Sequence, residues 1–275
     1  MRKLFLLINL TLVSLLMPGA LAAERELPRS PILTWNDLAL TAVRAGSLID
    51  AQAARTYAMV NVAIYDAVNG IDFVRRPHRR ASALVLPQGA PENGNRFAAA
   101  AAAAHAVLVA LDPARAATYD AQLNADLATL KPGPQVNAGR TWGSSIGGRV
   151  LQARANDGST PNEPQGGGTG PGEFRASWSN VQFRNLLPFG ISNPQQYVSA
   201  GPPPLTSAAY AAALAEVKIQ DNSAIADPAA LPTFQFWNSG AGTSQPPGEW
   251  IKLAIILMEE RAGSVSLLPT PPRPA

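Results

Sequence analysis

Apolar residues recur along this chain at three- and four-residue intervals and nowhere alternate convincingly with a period of two, which predicts an all-α fold. The clearest stretch is Arg55 to Ile71, where Tyr57, Val60, Asn61, Ile64, Tyr65 and Val68 share one helical face. A polar Asn61 inside that stripe requires hydrogen-bond partners there, and Gly70 reads as the cap that ends the helix. Ahead of it, Thr34-Trp35-Asn36 opens a first helix, with Thr34 or Asn36 as the cap and Gly46 as the stop. The second helix is expected from about Asp50 to Asn69, followed by a loop from Asp72 to Gly94 rich in Pro, Arg and Gly.

Phe97 to Leu111 predicts a third helix whose alanines favour close helix-to-helix approach. Pro113 suits the first turn of a fourth, which ends near Leu130. Val136 to Ala155 predicts a fifth, with Trp142, Ile146, Val150 and Leu151 on one side. Its Gly139, Gly143 and Gly147 either weaken it or, four residues apart, form a smooth face for a neighbour. Residues 156–204 shift to Gly, Pro, Asn and Gln, an irregular excursion of the kind that is functional or draped over a body. Helices resume at Ser207 to Gln220, near Ala229 to Asn238, and at Gly248 to Ala262.

Met1 to Ala22 combines Arg2 and Lys3, an apolar run from Leu4 to Met17 and the triplet Ala20-Leu21-Ala22, which predicts a secretory signal peptide cut after Ala22. A soluble mature chain in a periplasm or outside the cell is therefore expected, with no second segment to cross a bilayer. Without Arg2 and Lys3 the balance is 20 basic to 19 acidic side chains, so no general attraction to nucleic acid or anionic lipid is expected. Cysteine is absent, which excludes a disulfide scaffold and thiol catalysis.

Candidate chemistry is sparse. Arg75, Arg76, His78, Arg79 and Arg80 cluster around Pro77 and suit either a phosphate-like anion or a solvated connecting loop. His105 lies in the alanine-rich helix, where a packed, hydrogen-bonded histidine is expected, and two histidines without shared spacing make no metal site. Gln165 to Phe174 is glycine-rich but lacks the Gly-Lys-Ser/Thr ending of a phosphate loop, so it reads as a flexible loop. Glu259 and Glu260 diverge by about 100° on a helix and cannot face one another as an acid/base pair. Asn61, Asp66 and Asn69 either line an interior site or tie helices and loops together.

Several segments, taken in order, resemble the amino-terminal half of secreted bacterial vanadium-dependent haloperoxidase-like proteins, relatives of the type 2 phosphatidic acid phosphatases. They are Thr34-Trp35-Asn36, MVNVAIYDAVNGI, AAAAAAAHAVLVALDP from Ala98 to Pro113, Asp157-Gly158, and Pro171-Gly172-Glu173-Phe174. PPPLTSAAYAAALAEVK from Pro202 to Lys218, Phe236-Trp237 and Gly248-Glu249-Trp250 follow, so the resemblance spans about residues 33 to 262. It implies a helical fold and a family chemistry of peroxide-dependent halide oxidation on bound vanadate, or of phosphate-ester hydrolysis. In that family the oxyanion sits in a cradle of Lys, Arg, backbone amides and two histidines, carried by Lys-x6-Arg-Pro, Pro-Ser-Gly-His and Ser-Arg-x5-His segments.

None of those segments occurs here, so no catalytic, cofactor-binding or metal residue is carried over and no cofactor is expected in this chain alone. The last helix is apolar around most of its circumference at Ile251, Leu253, Ile255, Ile256, Leu257 and Met258, then gives way at Gly263 to a Pro-rich tail, Ser264 to Ala275. That pattern leads to the expectation of a chain interrupted after about Ala262. Its exposed apolar helix would bind a helical partner or a second copy. The alternatives are an exported scaffold pairing with a separate catalytic half, and a self-standing phosphatase built on Arg75, Arg76, His78, Arg79 and Arg80.

Overall fold

Alanine is the smallest helix-forming side chain, and seven of them in a row determine the centre of this fold. The computed structural model describes residues 29–75, 83–85, 87–227 and 229–266. The expected leader, Met1 to Ala22, and tail residues 267–275 lie outside the described residues. The described chain is all-α: α1 (Pro31–Ala45), α2 (Asp50–Arg75), α3 (Arg96–Leu111), α4 (Ala116–Ala128), α5 (Pro134–Ala153), α6 (Ala208–Ala226), α7 (Ala230–Asn238) and α8 (Gln245–Ser266). Helix α3 is the axis around which α1, α2, α4 and α5 pack, and Ala98 through Ala104 are each no more than 2% exposed.

The glycine stripe of α5 does what its spacing suggested. A Cβ added at Gly139, Gly143 or Gly147 would lie 2.2, 2.1 and 2.7 Å from the backbone oxygens of Asn95, Ala99 and Ala103. Both helices advance by four residues between contacts, so α3 and α5 run parallel, backbone against backbone, with α4 as the return. Leu108, Ile146, Val150, Val107 and Tyr119 fill the remaining interior.

Several boundaries differ from the sequence expectation. Helix α1 begins at Pro31, whose fixed φ suits a first turn, and Ser30 precedes it without a side-chain cap bond. Asn36 is therefore not a cap. It is buried, and exchanges amide hydrogen bonds with Asn61 of the antiparallel α2 at 2.8 and 3.0 Å. Gly70 does not end α2, which continues to Arg75. A Cβ there would sit 2.7 Å from the Trp142 ring, whose Nε1 donates to the Ala67 carbonyl at 2.8 Å, so the glycine admits an indole rather than a turn.

Pro113 opens a separate 3-10 turn, Pro113–Arg115, before α4. Helices α6 and α8 run further than expected, to Ala226 and Ser266. Gly263 does not stop α8, an interior glycine being tolerated at about 1 kcal/mol.

The excursion over residues 156–204 is irregular apart from 3-10 turns at Val181–Asn185 and Pro194–Tyr197. One fully buried guanidinium fastens it to the bundle. Arg154, just past α5, donates from Nε to Asp157 at 3.0 Å and from its terminal nitrogens to the carbonyls of Leu187 and Pro188, with its face 3.7 Å above the Phe189 ring. Arg55 of α2 donates to the same Asp157 carboxylate at 2.8 Å and to the Arg154 carbonyl at 3.0 Å. Gln165 to Phe174 is more constrained than a flexible loop. Gly168 N donates to the Phe174 carbonyl at 2.7 Å, Gly170 N to the Glu173 carboxylate at 2.6 Å, and Gln165 bridges to Trp178.

Helix α8 touches the body along one side only. Tyr57 donates its hydroxyl to the Ser244 carbonyl at 2.9 Å, Arg44 reaches the Ser244 hydroxyl at 3.0 Å, and Gly248 fits against Tyr57 and Leu40. Ile255 is buried and Glu259 pairs with Arg29 at 2.7 Å, whereas Trp250, Leu253, Ile256, Leu257 and Met258 are exposed. Among the described residues no single helix is long and apolar enough to cross a membrane.

Candidate functional site

Of the basic cluster, Arg75 is described and Arg76, His78, Arg79 and Arg80 lie outside the described residues. Arg75 ends α2 and donates from Nε to the Glu92 carbonyl at 2.6 Å. It lines an open cleft of about 400 Å³ with Asn93, Asn95, Arg96 and Gln135, at the amino terminus of α3. Two guanidinium groups and a helix terminus favour an anion there. Two features oppose a tight site. Arg96 is paired with Asp72 at 2.6 Å, with both side chains well exposed, and the Asn95 side chain already accepts from Ala98 N. Among the described residues no histidine lines this cleft, and the described groups by themselves do not supply the paired histidines of the vanadate cradle that the resemblance implies.

His105 is placed elsewhere. Its Nε2 meets the Asp120 carboxylate of α4 at 2.6 Å, and its ring stands edge-on to Trp35 with centroids 6.1 Å apart. Trp35 in turn donates to Asp126 at 2.8 Å, and Gln122 holds the other oxygen of that carboxylate at 2.7 Å. This is the packed, hydrogen-bonded histidine expected from sequence, in a polar network that ties α1, α3 and α4 together. Asp120, fifteen residues away and on another helix, carries no local signal that identifies it as the partner.

The polar residues of α2 divide between packing and loop attachment. Asp66 is buried and accepts from Val85 N at 2.8 Å, which holds residues 83–85 onto the bundle. Burial pushes its carboxyl above the usual range, against the lowering effect of hydrogen bonds from Val85 and Leu84. Asn61 and Asn69 line a groove of about 470 Å³ with Ile32, Ile64, Tyr65 and Asp72. Asp157 behaves oppositely to Asp66: burial raises it, yet Arg55 and Ser159 more than offset that, and it lies below the usual carboxylate range. Glu259 faces Arg29.

No cluster of three or more metal-ligating side chains occurs among the described residues. The structure thus brings Arg75 together with Arg96, which sequence reading had not singled out, and does not bring His105 to either. Large apolar side chains are exposed along the outer side of α8, at Trp250, Leu253, Ile256 and Leu257. Comparison of the chain with protein-family models, curated proteins and solved structures yields no match.

Proposed function

We propose that this chain is the supporting helical framework of a haloperoxidase-like protein and is not a catalyst by itself. The support is residue-specific. Three of the segments that carry the resemblance build the core, namely Trp35 and Asn36, most of the Tyr57 to Ile71 stripe, and the Ala98 to Leu108 axis, whereas Pro202 to Lys218, Trp237 and Trp250 lie largely at the surface. The observation that carries the proposal is the placement of His105. Of the two histidines in the sequence, His105 is committed to Asp120 and Trp35, away from the Arg75–Arg96 cleft, and His78 lies outside the described residues. A phosphate-like oxyanion needs converging cations and an imidazole to move protons. The family's halide oxidation or phosphate-ester hydrolysis is therefore not assigned to this chain.

Assay of the purified chain with vanadate, peroxide and bromide, and separately with an aryl phosphate, tests this. Rates at the level of buffer are expected, and turnover by the pure product would overturn it.

A second reading, an exported scaffold that receives a helical partner, is favoured by α6 to α8. Leu214, Val217, Phe234, Trp237 and Trp250 are exposed there, unlike the apolar residues of α3. The expected outcome is copurification with a helical polypeptide, either a second copy or one carrying a Pro-Ser-Gly-His segment. A compact monomer that binds no hydrophobic dye would contradict it.

A further inference from the structure

We propose that the outer face of α7 and α8 pairs with the same face of a second copy of this chain. The inference rests on the scaffold reading above and names its partner. Gly248, Ile251 and Ile255 seat α8 on the body, and Glu259 on that side reaches Arg29. At about 100° per residue, Pro246, Trp250, Leu253 and Leu257 fall on the side directly opposite. Their spacing of four, three and four is that of a seam along which one helix receives another. Trp237 of α7 extends the seam, and with Pro246, Trp250 and Leu253 it lines a cavity of about 360 Å³.

Size decides what kind of occupant fits. Trp237 and Trp250 are each 72% exposed, Phe234 57%, and Leu253, Ile256 and Leu257 about half. Together they offer on the order of 700 Å² of apolar surface, beyond the roughly 300–600 Å² of a typical monomer's largest patch and close to the ~800 Å² each partner contributes to a stable interface. A small solute would fill the cavity yet leave Ile256 and Leu257, up to two turns further along α8, in water. Glu249 beside the seam is already paired with Lys252 at 2.7 Å, so the centre of the face offers no free charge for an oppositely charged partner. An apolar, locally neutral face suits a homodimer, where a single self-complementary surface serves both subunits about a two-fold.

Sedimentation equilibrium of the full chain at micromolar concentration is expected to give a dimer. Trp250→Glu and Leu257→Glu should each return it to monomer with unchanged helix content and melting temperature. The chain has no cysteine, so single Trp250→Cys, Leu253→Cys and Leu257→Cys variants provide an independent check. Oxidation should cross-link at least one of them as a dimer, and should not cross-link Ser145→Cys on α5. A dimer that persists in both Glu variants, or cross-links only through Ser145→Cys, overturns the proposal. A monomer that binds hydrophobic dye and retains a different polypeptide overturns the second copy but keeps the scaffold reading. A dye-silent monomer removes both.

Discussion

Asp66 and Asp157 are both buried carboxylates, yet they respond to pH with opposite sign because their partners differ. Asp66 has only backbone donors to offset burial, so its folded value lies above the unfolded 3.8. Its contribution to stability is complete below about pH 4 and is lost as pH rises through the folded value. Asp66→Asn should therefore stabilise the protein at pH 7 and leave it nearly unchanged at pH 3.5, read from denaturant midpoints.

Asp157, held low against burial by Arg55 and Ser159, contributes stability above its unfolded value and loses it as pH falls through the folded one. Arg154→Leu would leave Leu187 and Pro188 without their donor and Asp157 with one guanidinium in place of two. A loss of about 3–5 kcal/mol is expected, with residues 157–189 becoming the first site of proteolysis. None of this node was legible in sequence. Asp157 was noted only within Asp157-Gly158, and its Arg55 partner lies 102 positions away.

Helix boundaries were legible where a side chain's local chemistry determines them and were missed where tertiary packing does. Gly46 ends α1 as expected, because nothing across the fold competes for that position. Gly70 misleads, because the same freedom from a Cβ that permits a turn also admits Trp142. The α5 glycines carry the sharpest prediction at this scale. Gly143→Ala places a methyl against the Ala99 backbone, which cannot rotate away, and should destabilise by about 1–3 kcal/mol or more. Gly148 faces open space in the same helix, so Gly148→Ala should stabilise by about 0.5–1 kcal/mol. Thermal melts of the two variants should move in opposite directions, and equal shifts would mean that α3 and α5 do not pack backbone to backbone.

The whole molecule divides into a filled part and an unfilled one. Helices α1 to α5 enclose most of their large apolar side chains, with Ile32, Tyr65 and Val74 the exceptions, whereas α6 to α8 leave many in water. The all-α class and the exposed outer face of α8 were legible from periodicity, because a stripe wider than one neighbour can cover is visible in sequence. The Arg75–Arg96 cleft was not, since it depends on α2 running past Gly70 to meet the start of α3. On the proposed reading this framework holds no competent oxyanion cradle of its own. Equilibrium titration of the purified chain with vanadate at neutral pH tests that most directly. No saturable binding in the micromolar range is expected; one-to-one uptake that disappears in Arg75→Ala or His78→Ala would overturn that reading.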